Sequence, residues 1–181
     1  MARSPVNSET TITELMVPAF ANLGGKIHGG HLLSMMDKLA YACATKHSGL
    51  YCVTVSVDNV DFMQPVEVGD LVSMYGRINH VGRSSMVVGI KVLAENVKDR
   101  HVKHTNTCYF TMVAKDDQGR PTVVPELILE SEDEVRRFIE AIVRKYMKKS
   151  FSKEMNEVKR EFDLDHEMDK LKDERCIIQL K

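Results

Sequence analysis

The sequence predicts an α+β fold in which a curved antiparallel β-sheet wraps one long central helix, with a second helix at the C-terminal end. Three observations predict it. An apolar stretch of helical length lies between glycines near positions 30 and 49, and four segments with the alternation of β-strands follow it. After Pro125 the apolar spacing becomes helical again. A sheet that follows a single apolar helix can bury its own apolar face by curling around that helix.

The central helix is expected to begin near Gly30 and to end near Gly49, which suits a left-handed C-terminal cap. Its apolar side chains point almost all round the helix axis, so we expect it to be covered on most sides. The segment 9–17 before it has the alternation of a strand, which Pro18 ends.

Four long strands are expected after the helix. In the first, Val53, Val55 and Val57 alternate with polar residues, and a change of parity then predicts a β-bulge around Asp58 and Asn59. The next two strands meet at the turn 82–84. The residues expected on one face of the last three strands are Val72, Met74, Gly76 and Ile78, then Met86, Val88, Ile90, Val92 and Ala94, then Val102, His104, Asn106, Cys108, Phe110 and Met112.

The C-terminal part predicts an amphipathic helix, which begins at a capping box formed by Ser131 and Glu134. From Phe151 the apolar spacing continues among charged residues and then weakens. We therefore predict a globular domain over 8–125, a helix over 126–149 that packs on or between subunits, and a charged tail over 150–181. The tail is expected to be helical or partly disordered, and it could serve as a partner surface.

The composition limits the classes of function. The chain has 25 basic and 26 acidic side chains, so it carries no overall attraction to nucleic acid or anionic membranes. Four widely spaced cysteines without a CxxC pair fit free thiols in a reducing compartment. No leader or membrane-spanning run is evident, and the histidines lack metal-site spacing. We therefore expect a cytoplasmic protein with no metal, nucleic-acid or membrane partner.

One acid interrupts the apolar helix. Asp37 is the only carboxylate between Gly30 and Ser48, and burying a charge costs several kcal/mol unless it is compensated. Either the helix is less buried than its composition indicates, or Asp37 has a chemical role. On its own, a structural acid held by a hydrogen bond explains Asp37 as well as a catalytic one does.

Several motifs around Asp37 resemble the hot dog fold acyl-coenzyme A thioesterases. The string NLGGKIHGG at 22–30 precedes LLSMMD at 32–37, and the segments VDNVDF at 57–62 and GRSSM at 82–86 follow in the same order. The resemblance covers about 9–125. It implies a hot dog fold and hydrolysis of acyl-CoA to a free fatty acid and CoA, with no metal or redox cofactor.

The resemblance also implies roles at the site. Asp37 would be the general base or the nucleophile, and Asn22 of a neighbouring subunit would act with it. Amides of Gly29 and Gly30 at the helix start suit a developing negative charge. Ser34, three residues before Asp37, is placed to hydrogen-bond the acid or the substrate.

The turn Arg83, Ser84 and Ser85 offers a guanidinium and two hydroxyls, and the resemblance implies that CoA contacts lie there. It further implies a homodimer and, as a trimer of dimers, a hexamer.

Two alternatives remain open. One is a hydratase or dehydratase of acyl thioesters using His28 or His31, although His28 is expected only to line the loop. The other is a non-catalytic acyl-CoA sensor whose helical tail binds a partner.

Overall fold

The computed structural model describes residues 2–180, apart from the side chains of 165 and 166, and it contains a five-stranded antiparallel sheet packed on one long helix. The strands are β1 (Thr10–Leu15), β2 (Tyr51–Val57), β3 (Leu71–Val81), β4 (Ser85–Asn96) and β5 (His101–Lys115), in the sheet order β1-β3-β4-β5-β2. The helix α1 spans Gly29–Ser48. The predicted hot dog fold is confirmed, and β1 and β2 form the two edges of the sheet.

The core lies between α1 and the sheet face predicted on β3 and β4. Met74 and Ile78 on β3 and Met86 and Val92 on β4 are buried there, as are the residues between them at every second position. Gly76 is required by a close approach, because a Cβ at this position would lie 2.9 Å from both Cys43 Sγ and Leu39 Cγ of α1. The alternation of β3 and β4 was therefore sufficient to predict this part of the core.

The predictions for β2 and β5 need correction. The irregularity in β2 falls between Thr54 and Ser56, not at Asp58 and Asn59, and Val55 and Val57 on this edge strand are exposed. In β5 a register shift opposite Val92 and Leu93 leaves Val102 and His104 exposed, whereas the predicted positions from 106 to 112 are buried. One extra residue reverses the faces of the rest of a strand.

The helix α1 ends as predicted, at Gly49 in the left-handed conformation with φ 73°. The expectation that it is covered on most sides is wrong for the protomer. Its buried residues form one face, whereas Leu33, Ser34, Asp37 and Tyr41 are exposed on the other. Asp37 therefore lies on the solvent-exposed face of α1 in the protomer. Its charge is not buried, so the desolvation cost considered above is not incurred.

The second helix, α2, spans Glu132–Arg160 and is followed by a short helix at Leu164–Glu167 and a 3₁₀ turn at Met168–Leu171. The Ser131 hydroxyl accepts from the Glu134 amide as the capping box requires, and Glu134 Oε2 accepts from the Glu130 amide. The chain divides into two compact units after Ala141. Residue 181 of the predicted tail lies outside the described residues.

Acidification is expected to destabilise the fold through His47, which is fully buried at the end of α1. Burial lowers the pKa of His47, although its Nε2 donates to the Pro125 carbonyl over 3.0 Å. Below the ordinary pKa of 6.5 the unfolded chain therefore binds a proton that the folded chain resists. As the pH is lowered below this value, His47 should decrease the free energy of unfolding by up to about 1.4 kcal/mol per pH unit.

Urea unfolding of wild type and His47→Gln between pH 7.5 and 5 measures this slope. The variant should show a shallower dependence, whereas His104→Gln, at an exposed position, should keep the wild-type slope. Equal slopes in wild type and His47→Gln would contradict the assignment.

Candidate active site

An open groove of about 390 Å³ lies where the exposed face of α1 meets the edge strand β2. We call it the α1–β2 groove. Its lining residues are Asp37, Lys38 and Tyr41 from α1 and Tyr51, Cys52, Val53 and Thr54 from β2. The rings of Tyr41 and Tyr51 meet edge to face, with centroids 6.3 Å apart. The groove therefore combines one carboxylate with an aromatic wall.

The carboxylate of Asp37 is held by one short hydrogen bond. Thr54 Oγ1 donates to Asp37 Oδ1 over 2.6 Å, and it also lies 3.2 Å from Met112 Sδ. The hydroxyl fixes the rotamer of the carboxylate from the strand side, so the other oxygen, Oδ2, is the one available to a water in the groove. An exposed, oriented carboxylate of this kind can act as a general base.

Asn22 lies on the loop before α1, where its side chain shapes the turn. Its Oδ1 accepts from the amides of Gly24, over 2.9 Å, and Lys26, over 3.2 Å. This pairing occupies the acceptor and leaves the two Nδ2 protons as donors to a ligand. Among the described residues, every hydrogen bond of Asn22 stays within its own loop, so the protomer does not bring Asn22 onto Asp37.

The helix start differs from the prediction at Gly30. The Gly30 amide donates to Nδ1 of His28 over 2.9 Å, so His28 is the N-cap of α1 and not merely a loop-lining residue. The expectation that both glycine amides are unpaired is therefore wrong for Gly30. The Gly29 amide has no acceptor among the described residues, which leaves it open to an oxyanion.

Phe62 is a neighbour of this amide that the sequence did not assign to the site. A Cβ on Gly29 would lie 3.4 Å from the Phe62 ring, which is itself partly exposed. The loop that carries it is tied to β5 at both ends, since the amides of Asp58 and Met63 donate to the carbonyls of Tyr109 and Thr105, each over 3.0 Å. Phe62 thus gives the open amide an apolar neighbour held in place by backbone bonds.

The predicted CoA-binding residues lie on the tight turn between β3 and β4. The Gly82 amide donates to the Ser85 carbonyl over 2.7 Å, and the carbonyls of Arg83 and Ser84 accept from the amides of Val124 and Ala114. These bonds fix the backbone of the turn while the Arg83 side chain is exposed. The turn shares no lining residue with the α1–β2 groove.

A second cavity, of about 340 Å³, opens on the sheet face opposite α1. The carboxylate of Glu9 there lies 3.2 Å from the Arg77 guanidinium, so it is neutralised by an ion pair. Because the carboxylate of this cavity is paired with a guanidinium, whereas Asp37 has no ion pair among the described residues, the α1–β2 groove is the better candidate for hydrolytic chemistry.

The structure thus joins Asp37 to a partner that the sequence analysis missed. In the sequence, Thr54 appears only as a polar residue in the alternation of β2. The one feature that could have pointed to it is its hydroxyl group, a possible hydrogen-bond donor, on an edge strand. Ser34 lies one turn before Asp37 on the same exposed face, as its spacing predicts. Asn22, Gly29 and the turn with Arg83 have no described hydrogen bond to Asp37, so the protomer does not bring them together with it.

Replacing Thr54 with Val is expected to lower kcat of a hydrolysis in which Asp37 is the general base, because Asp37 would lose its orienting hydrogen bond. A hydrogen bond to a charged group contributes roughly 1.5–3 kcal/mol, which corresponds to about a 10- to 150-fold loss. Steady-state kinetics should show the loss in kcat with KM little changed. Thr54→Ser retains the hydroxyl and should recover most of the rate, and a Thr54→Val variant of wild-type kcat would contradict the role.

In residues 2–180, the structure shows no group of three or more histidine, cysteine or acidic residues placed to hold a metal ion. No helix of the same described part is long and apolar enough to cross a membrane.

Comparison with known proteins identifies the family. A family model described as the thioesterase superfamily matches residues 24–100. The Helicobacter pylori protein VdlD (strain 26695) is 47% identical over 134 residues, which cover 74% of this chain and 76% of VdlD. Bacillus subtilis YkhA, named an uncharacterized acyl-CoA thioester hydrolase, is 33% identical over 137 residues, covering 76% of this chain and 80% of YkhA.

A solved structure described as an apo-hexameric acyl-CoA thioesterase superposes with a TM-score of 0.80 at 34% identity, covering 83% of this chain and 97% of that one. The chain therefore belongs to the thioesterase superfamily. Within it, the predicted resemblance to the hot dog fold acyl-CoA thioesterases is confirmed.

Proposed function

We propose that this chain hydrolyses acyl-CoA to a free fatty acid and CoA, with Asp37 of the α1–β2 groove as the general base. The observation that supports it most directly is the exposed Asp37 carboxylate fixed by Thr54. The relatives named acyl-CoA thioester hydrolases support the substrate class. No metal or redox cofactor is needed for this reaction.

The reaction requires a proton acceptor, a site for the oxyanion and a leaving thiolate. Asp37 Oδ2 takes a proton from water as the oxygen attacks the thioester carbonyl. The Gly29 amide donates to the oxyanion, the C–S bond then breaks, and the CoA thiolate takes the proton from Asp37, which returns to its carboxylate form. Direct attack by Asp37 would instead form a mixed anhydride that water opens. Incorporation of ¹⁸O from water into the carboxylate of Asp37 in a single turnover would identify the anhydride route, because general-base catalysis places the ¹⁸O in the fatty acid alone.

We further propose that each site is completed by a second protomer. β2 is an edge strand, and the side chains of Val55 and Val57 are exposed on it beside the groove. Leu33 and Tyr41 on α1 continue this apolar surface. Pairing of two β2 edges would cover it, and Asn22 of one protomer would then donate through Nδ2 to the water or carbonyl at Asp37 of the other. A trimer of such dimers gives the hexameric assembly named for the similar structure.

The free thiols support a cytoplasmic location for this reaction. Cys43, Cys52 and Cys108 are buried and unpaired in disulfides, as expected of a protein kept in a reducing compartment. Burial raises the pKa of Cys43 to about 11 and that of Cys108 to about 12, so neither is a thiolate that could compete as a nucleophile.

Arg83 is proposed to contact the CoA phosphates, with Ser84 and Ser85 as further donors. Arg83→Ala should raise KM for acyl-CoA by about tenfold, because a charge-assisted contact is lost, and should leave kcat nearly unchanged. Acyl-pantetheine lacks these phosphates, so its KM should be the same in wild type and variant. Arg120→Ala removes an exposed arginine on another turn and serves as the matched control. An unchanged KM for acyl-CoA would contradict the placement.

The proposed activity is tested by release of free thiol from a panel of acyl-CoA esters of increasing chain length, followed with a thiol-reactive dye. Wild type should release thiol catalytically from at least one chain length. Tight binding of acyl-CoA in calorimetry without thiol release would refute hydrolysis and would favour the acyl-CoA sensor. Addition of water across the carbon–carbon double bond of an unsaturated acyl-CoA, without release of thiol, would indicate the hydratase instead.

A further inference from the structure

The loop that carries Asn22, over 21–27, is closed by its own backbone hydrogen bonds. The Asn22 amide donates to the Lys26 carbonyl over 2.7 Å, and the Gly25 amide donates to the Asn22 carbonyl over 3.0 Å. Ala21 and Ile27 form an isolated antiparallel bridge at the base of the loop. These bonds fix the shape of the loop, whereas its position on the protomer depends on bonds to other parts of the chain.

One ion pair attaches this loop to a neighbouring segment. Lys26 Nζ donates to both carboxylate oxygens of Glu67, over 2.6 and 2.7 Å. The same two residues form an isolated antiparallel bridge through their backbones, and the Ile27 amide donates to the Val66 carbonyl over 2.9 Å. Among the described residues, no other side chain of 21–27 makes a hydrogen bond outside the loop.

Glu67 belongs to a segment that is itself held in place. Its amide donates to Oδ2 of Asp70 over 3.0 Å, and the same oxygen lies 3.2 Å from Lys103 Nζ on β5. The Gly69 amide donates to the Met16 carbonyl, directly after β1, over 2.7 Å. Asp70 is buried, so solvent and salt screen its contacts little. The ion pair therefore joins the loop to a segment bonded to the sheet.

We propose that Glu67 is a positioning residue of the thioesterase site, which acts through Lys26 to place the side chain of Asn22. This inference rests on the proposed function, in which Asn22 donates through Nδ2 at Asp37 of a second protomer. Lys26 connects the two, because its amide donates to Asn22 Oδ1 over 3.2 Å while its ammonium group binds Glu67. A displacement of Lys26 therefore changes the direction of the Nδ2 donors.

The effect is expected on the rate and not on the stability of the fold. The side chains of Lys26 and Glu67 are 49% and 36% exposed, and exposed ion pairs contribute little to stability. Catalysis is more sensitive to position, since a misplacement of about 1 Å can lower a rate by about 100-fold. A weak clamp can therefore matter for Asn22 without being required for folding.

Glu67→Gln tests this role in the full-length protein, because it keeps the size of the side chain and removes its charge. We expect kcat for acyl-CoA to fall by about fivefold, with KM and the urea midpoint little changed. At about 1 M NaCl the wild-type and variant rates should converge, because salt screens the exposed pair. Asp116→Asn removes the charge of an exposed ion pair on another turn and should keep the wild-type kcat.

Charge reversal tests whether Glu67 acts through Lys26. Glu67→Lys should lower kcat by about tenfold, because like charges would then push the loop away from its support. Combining it with Lys26→Glu restores opposite charges and should recover kcat to within about twofold of wild type.

A double-mutant cycle tests whether the effect reaches the site through Asn22. Asn22→Ala leaves no amide to position, so adding Glu67→Gln to it should cause no further loss of kcat. A Glu67→Gln loss that persists in the Asn22→Ala background would overturn the proposal, and so would a loss that is accompanied by a lower urea midpoint.

Wild-type kcat in both Glu67→Gln and Glu67→Lys would also overturn the proposal, as would a reversed pair that stays slow. The proposed function has a separate outcome. If wild type releases no thiol from any acyl-CoA ester, hydrolysis fails and the role of Glu67 fails with it. If wild type is active and the Glu67 variants match it, only the role of Glu67 is contradicted.

Discussion

Asp37→Asn is expected to lower kcat for acyl-CoA hydrolysis by about 10²- to 10⁴-fold, the range over which a positioned general base contributes. The amide is isosteric with the carboxylate, and its Oδ1 can still accept from Thr54 Oγ1, so the geometry of the groove is preserved. What disappears is the basic oxygen that takes the proton from water. KM should change little, since no binding contact to the substrate is removed.

The measurement separates chemistry from folding. Because Asp37 is exposed in the protomer, the urea midpoint of the variant should match that of wild type. Light scattering should give the same assembly mass. A variant that keeps more than about a tenth of the wild-type kcat would contradict the role of Asp37, since that loss is too small for a general base. Replacing the nearby Lys38 with Ala provides a matched change on the same exposed face of α1.

The sequence was sufficient for those parts of the fold in which one pattern dominates. Strict alternation identified the buried faces of β3 and β4, and glycine at position 49 identified the end of α1. It failed at the irregularities in β2 and β5. A single inserted residue leaves the local alternation intact and changes only which face it occupies, so it becomes visible once the pairing partner is known.

The exposed face of α1 could not be assigned from sequence for a related reason. An apolar side chain on an exposed helix face has the same character as one that contacts the core, so Leu33 and Tyr41 looked like core residues. Asp37 then seemed a buried charge, whereas the structure places it on the exposed face of α1. The contact with Thr54 was hidden as well, because it joins residues seventeen positions apart through the packing of β2 beside α1.

If Asn22 of one protomer completes the site at Asp37 of another, two inactive variants should recover activity when they are combined. This is the second prediction with a large expected effect. Asn22→Asp keeps the oxygen that accepts from Gly24 and Lys26 but loses the Nδ2 donors, so the loop should persist while the donor to the substrate is lost. Asp37→Asn lacks the base. Alone, each variant should form an assembly with little activity.

In a mixed dimer, one shared site receives native Asp37 from the first variant and native Asn22 from the second, while the other site receives both replacements. If the sites are shared, co-expressed and doubly affinity-purified mixed assemblies should regain up to half of the wild-type activity per dimer. If each site lies within one protomer, every site keeps one replacement and the mixture stays inactive. Mixing two preparations of the same variant provides the control, since only complementary replacements can rebuild a complete site. Recovery would therefore show directly that the open groove of one chain is completed by the loop of another.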